Sequence, residues 1–232
     1  YLRGGGVYVN QTGSPTFTDC TITNNMSGDI KDGTVGQGAG FWCGANSSPA
    51  LYDCTITNNT TVGAGGGVMC EEGSDAYLQG CQIEGNIAGG NGGGAFVGNA
   101  AQTTFVNCLF TNNECGVGDI PNVANGGGLH CSYATSVTIT ECEIKLNTCK
   151  GIGGGIFTTG TLILPITNSL ICANSPNQIE GDYTDNGGNT IRTNCDYWVV
   201  DDLFDDDPNA DFDTIQAAVD AAFQRQKRDL VL

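Results

Sequence analysis

The chain has 232 residues with 36 glycines, and 25 acidic against 8 basic side chains give a formal charge of −17. So acidic a chain is a poor partner for nucleic acid phosphates, whose binding rests on counterion release by Lys and Arg. No apolar run is long enough to span a bilayer, which needs about 20 residues, and the first residues lack a signal peptide's charged and apolar regions.

From the N-terminus a phrase recurs six times: a glycine triplet, three mostly apolar residues, and a Cys-x-Ile-x-x-Asn signature, first as Gly4-Gly-Gly-Val-Tyr-Val and Cys20-Thr-Ile-Thr-Asn-Asn25. The triplets start at Gly4, Gly38 (there Gly-Ala-Gly), Gly65, Gly92, Gly126 and Gly153, with spacings of 34, 27, 27, 34 and 27 residues. That is one period carrying two seven-residue insertions, and a period in this range signals a repeat architecture. Apolar residues keep fixed places in each period. Val7, Phe41, Val68, Ala95, Leu129 and Ile156 follow the glycines; Phe17, Leu51, Leu78, Phe105, Ile139 and Ile166 precede the signature; Ile22, Ile56, Ile83, Phe110, Ile144 and Ile171 lie inside it. Each sits in a short alternating stretch, so three strands per period are expected.

Three short strands and their turns per 27 residues describe one coil of a parallel β-helix, here of six to seven coils over residues 1–195. Equivalent positions then stack. The signature ends on Asn25, Asn59, Asn86, Asn113, Asn147 and Asn174 without exception, the pattern of an inward amide ladder at a left-handed turn. The glycines form a second turn column, where a positive φ or a close backbone approach excludes a Cβ. Tyr8, Trp42, Met69, Phe96, His130 and Phe157 form a third column, which alternation places on the outer face as an exposed strip. Stacking that shields the strands, or a sugar-binding or assembly surface, would each account for it.

Cys20, Cys54, Cys81, Cys108 and Cys142 share one column with Ser169, and Cys43, Cys70 and Cys131 share another with Val9, Val97 and Thr158. Positions that accept Val or Thr are small core positions, so these thiols are expected to be buried as small hydrophobes, although stacked neighbours lie within the Cα range that a disulfide allows. Cys115 and Cys149 each follow a column cysteine by seven residues and are expected to stack and form a disulfide. Cys172 and Cys195 bracket the end of the repeats and are the next expected pair. Asp19, Asp53, Asn107, Glu141 and Asn168 share a polar column; paired carboxylates can do acid–base chemistry, but a polar turn accounts for them equally, and no catalytic residue is assigned. Asn10-Gln-Thr and Asn46-Ser-Ser make Asn10 and Asn46 glycosylation acceptors in a eukaryotic setting. The insertions, Met26 to Val35 and Glu114 to Val123, leave from one corner of the coil, the face on which solenoids often bind partners.

The Gly-Gly-Gly and Cys-Thr-Ile-Thr-Asn-Asn phrases resemble right-handed parallel β-helix repeats of the pectin-lyase-like superfamily. They are similar to those of secreted bacterial β-helix proteins and of chlamydial polymorphic membrane proteins. The stretch Ile171 to Asn189 resembles the closing segment of such domains. The resemblance covers about residues 4–195 and implies a fold and an extracellular setting, not an enzyme.

After Cys195 the composition shifts. Residues 196–211 read as an acidic linker in which Asp205, Asp207, Asn209 and Asp211 alternate like calcium-loop ligands, though Ala210 and Gln216 stand where Gly and Glu are wanted; no cofactor is assigned beyond that possible calcium. Residues 212–232 read as an amphipathic helix with Phe212, Ile215, Val219 and Phe223 on one face, then a strand with Leu230, Val231 and Leu232. The helix resembles the one that covers the first coil at the start of a β-helix, yet it stands at the end. Arg225-Gln-Lys-Arg228 matches a dibasic cleavage pattern. The expected function is therefore an extracellular structural protein whose tail covers the first coil of another copy, joining copies end to end or in a tandem array. A surface adhesin or carbohydrate-binding module is the alternative and a polysaccharide-active enzyme the third reading.

Overall fold

A computed structural model describes residues 2–29, 34–118, 124–134 and 136–195. The described chain is all-β, and no helix among the described residues is long and apolar enough to cross a membrane. It winds through four sheets of seven strands each. Sheet I follows the glycines, with Val68–Cys70 as a typical strand; sheet II holds Asp75–Gln79 and sheet III Gln82–Glu84. Each of these strands pairs in register and parallel with its equivalents one period before and after, as Ile83 does with Ile56 and Phe110.

Sheet IV, the fourth, is absent from the three-strand expectation. Its members are mostly two residues long, such as Thr60–Thr61, Ile87–Ala88 and Thr148–Cys149, too short to show alternation in sequence. The first insertion extends this sheet as an antiparallel ribbon, Met26–Asp29 against Thr34–Gln37, onto whose outer edge Leu2–Arg3 pairs. Both insertions do leave from one corner, since Met26 pairs with Thr60 and Glu114 with Ile87 in the same sheet.

The interior is one stacked core. Phe41, Leu51, Ile56, Leu78, Ile83, Phe105, Phe110, Ile139 and Ile144 are almost wholly buried and in mutual contact, each the inward residue of its strand. The column thiols Cys54, Cys81, Cys108 and Cys142 are buried among them and reduced. Each donates to the carbonyl two residues back, as Cys54 Sγ does to Tyr52 O at 3.3 Å, and Ser169 Oγ does the same to Thr167 O at 2.8 Å. A thiol or hydroxyl satisfied locally costs little to bury, which is why serine can replace cysteine here.

The polar column explains itself by backbone geometry. Asp19, Asp53, Asn107, Glu141 and Asn168 all have φ between 48° and 55°, and Gly80 fills the same place at 65°. Asp, Asn and Gly tolerate this left-handed conformation better than other residues, so the turn requires such residues with no chemistry invoked.

Candidate functional site

The asparagine ladder is continuous and fully bonded in its middle. Asn86 Nδ2 donates to Asn113 Oδ1 at 3.0 Å and to Ile56 O at 2.9 Å, while its Oδ1 accepts from both the backbone N–H and the Nδ2 of Asn59 at 3.0 Å. The same set recurs at Asn59, Asn113 and Asn147, all fully buried. The left-handed residue is not the ladder asparagine, as expected, but the one before it: Asn24, Asn58, Gly85, Asn112, Leu146 and Ala173. The ladder residue itself passes on into sheet IV, its carbonyl accepting from the next coil, as Asn59 O does from Ile87 N at 2.8 Å.

The glycine triplet makes room for this ladder. In Gly65-Gly-Gly67 the first residue has φ 69°, the second lies against Gly93 and Ile87 carbonyls, and a Cβ on the third would stand 2.9 Å from Asn86 Nδ2. The third glycine of every triplet meets its own coil's ladder amide in this way.

The two ends of the stack differ. At the C-terminal end three of the stacked positions are closed by side-chain amides. Gln178 Oε1 accepts from the N–H and Nδ2 of Asn174 at 3.1 and 2.9 Å, and its Nε2 donates back to Asn174 O. Asn177 Oδ1 accepts from Gly153 N at 2.7 Å, and Asn189 Oδ1 accepts from Ser169 N at 2.9 Å. These three closures break the 27-residue period, so periodicity gives no signal for them.

At the N-terminal end nothing among the described residues plays this part. Asn25 donates to Asn59 Oδ1 through both its N–H and its Nδ2, but its own Oδ1 receives no donor. Gly5, Gly6 and Val7 donate to the carbonyls of Gly38, Ala39 and Gly40, whereas no described residue donates to the equivalent carbonyls of Gly4, Gly5 and Gly6. Val7, Phe17 and Cys20 are only partly buried there, while Phe41, Leu51 and Cys54 below them are fully covered. The first coil thus presents a row of acceptors and a half-covered apolar rim.

The outer column is stacked as expected but not the exposed strip expected. Tyr8 lies on Trp42 at 4.6 Å and 8°, Phe96 on His130 at 5.0 Å and 9°, and His130 on Phe157 at 4.9 Å. Trp42, Met69 and His130 are nonetheless buried; Phe96 and Phe157 are half-buried and Tyr8 is exposed. The rings lie down along the sheet over glycines two residues on: a Cβ at Gly44 would stand 2.5 Å from Trp42 Cη2, and one at Gly98 2.6 Å from Phe96 Cε1. Trp42 is held further by Glu71, which accepts its Nε1–H at 3.1 Å. Glu71 is itself buried, takes Asn99 Nδ2 on its other oxygen and faces Arg3, whose guanidinium sits 4.8 Å over the Trp42 ring and pairs with Glu72. Sequence reasoning missed Glu71, which carries no repeat signature. His130 is neutral, because burial pushes its pKa down to about 4 despite the Nδ1 contact to Asn125 O.

Cys115 and Cys149 do stack in register as expected, but they are thiols and not a disulfide. In-register parallel neighbours stand about 4.8 Å apart with parallel Cα–Cβ directions, beyond the ~3.8 Å Cβ separation a disulfide adopts. Cys172 and Cys195 are disulfide-bonded, as expected. Asn46 lies exposed in a turn at φ 59°, while Asn10 is half-buried and donates to Tyr8 Oη at 2.8 Å. The candidate calcium ligands Asp205, Asp207, Asn209 and Asp211 and the candidate joining residues Phe212, Ile215, Val219, Phe223, Leu230, Val231 and Leu232 lie outside the described residues, as does the expected helix. Among the described residues no group of three His, Cys, Asp or Glu side chains is placed to hold a metal ion.

A family profile described as "Right handed beta helix region" matches residues 2–120. The chain belongs to the right-handed β-helix family. No curated protein and no solved structure matches it, so a similarity to chlamydial polymorphic membrane proteins is not among the findings. The family is defined by a fold that also carries pectin-lyase-like enzymes, so membership assigns this β-helix an architecture and leaves its activity to its own residues.

Proposed function

We propose that this β-helix is an extracellular structural protein whose first coil is a joining surface, covered by the tail, residues 212–232, of a second copy. The observation that carries the reading is the difference between the ends: amide side chains close the last coil, while the first offers Asn25 Oδ1, three glycine carbonyls and a half-covered apolar rim. Unpaired strand edges invite further pairing unless covered. The Cys172–Cys195 disulfide favours an oxidising compartment. A contact between the end of one copy and the start of the next does not close on itself, so it propagates into filaments. Because every member of the aromatic column but Tyr8 is buried or half-buried, the alternative, carbohydrate adhesion through that column, is less apt.

Electron microscopy of the full chain beside a chain lacking residues 212–232 tests the reading. End-to-end polymers of the full chain that disappear on truncation are the expected result. Polymers that persist unchanged, or a full chain that stays monomeric at high concentration, would overturn it.

A further inference from the structure

Ten of the twelve cysteines are reduced, and they are not equivalent. Cys43 and Cys70 come closest, Sγ to Sγ at 3.2 Å, but both are fully enclosed in the main core. Cys115 and Cys149 belong instead to a small satellite cluster with Ala88 and Ala124. There Cys115 is buried and Cys149 only half-buried. The two stack in register on strands of two residues, Glu114–Cys115 and Thr148–Cys149. Gly116 follows directly at φ 83°.

The surroundings divide the labour between the two sulfurs. The Cys115 side chain stacked beside it holds the Cys149 thiol below the ordinary range, against its partial burial. The hydrogen bond to Cys149 and then burial push Cys115 up. In the resting dithiol Cys149 Sγ donates to Ile152 O at 3.2 Å. A thiolate with access to solvent attacks; a buried thiol beside it resolves.

We propose that Cys149 and Cys115 form a reversible dithiol–disulfide couple that exchanges with low-molecular-weight disulfides, Cys149 as the attacking thiol and Cys115 as the resolving one. The Cys149 thiolate attacks one sulfur of the small disulfide, forming a mixed disulfide and releasing one thiolate. Cys115, losing its proton to solvent, then attacks Cys149 Sγ, and the second small thiolate leaves. The two cysteines are oxidised and one small disulfide is reduced to two thiols. The ~1 Å closure this requires of the paired strands makes the product strained and therefore readily reduced, unlike a relaxed structural disulfide.

The test uses the full chain and glutathione. In the reduced protein a brief pulse of iodoacetamide, read by peptide mass spectrometry, is expected to label Cys149 at least about tenfold faster than Cys43, Cys70 or Cys108. Oxidised glutathione is expected to yield a Cys115–Cys149 linked peptide that excess reduced glutathione removes. Cys115→Ser, with circular dichroism unchanged, is expected to accumulate glutathione on Cys149. Equal labelling of Cys149 and the core thiols, or oxidation that links Cys43 to Cys70 with Cys115 and Cys149 untouched, would overturn the proposal. Should Cys115→Ser fail to fold, the wild-type linkage and labelling decide.

Discussion

Replacing Asn86 by leucine tests whether the amide ladder holds the coils together or merely occupies space between them. Asn86 Oδ1 accepts from Asn59 N and Nδ2, and its Nδ2 serves Ile56 O and Asn113 Oδ1. Leucine has nearly the same size but leaves two donors of Asn59 and the Ile56 carbonyl unpaired in a site with no water access. At about 1–3 kcal/mol for each buried group left without a partner, the loss is about 3–6 kcal/mol once partial relaxation is allowed. Asn25→Leu at the open end makes the contrast. Its Oδ1 serves no donor among the described residues, Asn59 Oδ1 keeps the bond from the residue-25 backbone N–H, and Asn25 is only partly buried, so about 1 kcal/mol is expected. Urea denaturation followed by far-ultraviolet circular dichroism, compared at the transition midpoint, reads both. Equal costs at the two positions, or a cost below about 1 kcal/mol at Asn86, would refute the idea that the ladder's hydrogen bonds and not its volume bind the coils.

Gly94→Ala places a Cβ 2.5 Å from Gly128 O and 3.0 Å from Asn113 Nδ2 and is expected to cost about 1–3 kcal/mol, whereas Gly90→Ala, whose nearest neighbours stand 3.2 Å away, is expected to cost under about 1 kcal/mol; thermal melts of the pair check it. His130 has a folded pKa lowered to about 4 by burial, below the ~6.5 of an unfolded histidine. The unfolded chain therefore takes up the proton first, and the contribution is fully present above about pH 6.5, falls as pH drops, and levels off below about 4, a loss of about 3 kcal/mol. His130→Phe, which continues the ring stack, is expected to remove that part of the pH dependence; an unchanged difference in stability between pH 7 and pH 4.5 would contradict it. Cys172→Ser with Cys195→Ser opens a loop of roughly two dozen residues and is expected to cost about 3 kcal/mol, seen as a lower urea midpoint that reducing agent no longer shifts.

Much of this arrangement is legible in the sequence because a solenoid prints each three-dimensional column as a period. Six asparagines at one offset and six glycine triplets sufficed for the ladder and its turn. What escaped has physical reasons. Two-residue strands such as Thr60–Thr61 have no alternation to read, so sheet IV was invisible. The left-handed position fell one residue early because the ladder asparagine's own N–H and carbonyl are committed to the coils beside it. Alternation correctly sent Trp42 and His130 away from the core, but alternation gives direction and not cover. Gly44 let the Trp42 ring lie flat, and Glu71 then sealed its indole nitrogen. For Cys115 and Cys149 adjacency was right and bonding was not, since neighbouring parallel strands hold equivalent Cβ atoms too far apart for a relaxed bond.

The unequal ends also give the stack a direction. In a repeat protein each coil is stabilised chiefly by its two neighbours, and here the last coil has replaced its missing neighbour with Asn177, Gln178 and Asn189, while Tyr183–Asp185 present a fully exposed face beyond it. At the first coil Thr34–Gln37 and Leu2–Arg3 cover the sheet IV edge, while no described residue donates to Asn25 Oδ1. An added coil at that end would give Asn25 Oδ1 its two donors, pair the carbonyls of Gly4, Gly5 and Gly6, and cover Val7, Phe17 and Cys20. A coil added at the Asn25 end would therefore have to bring its own donors.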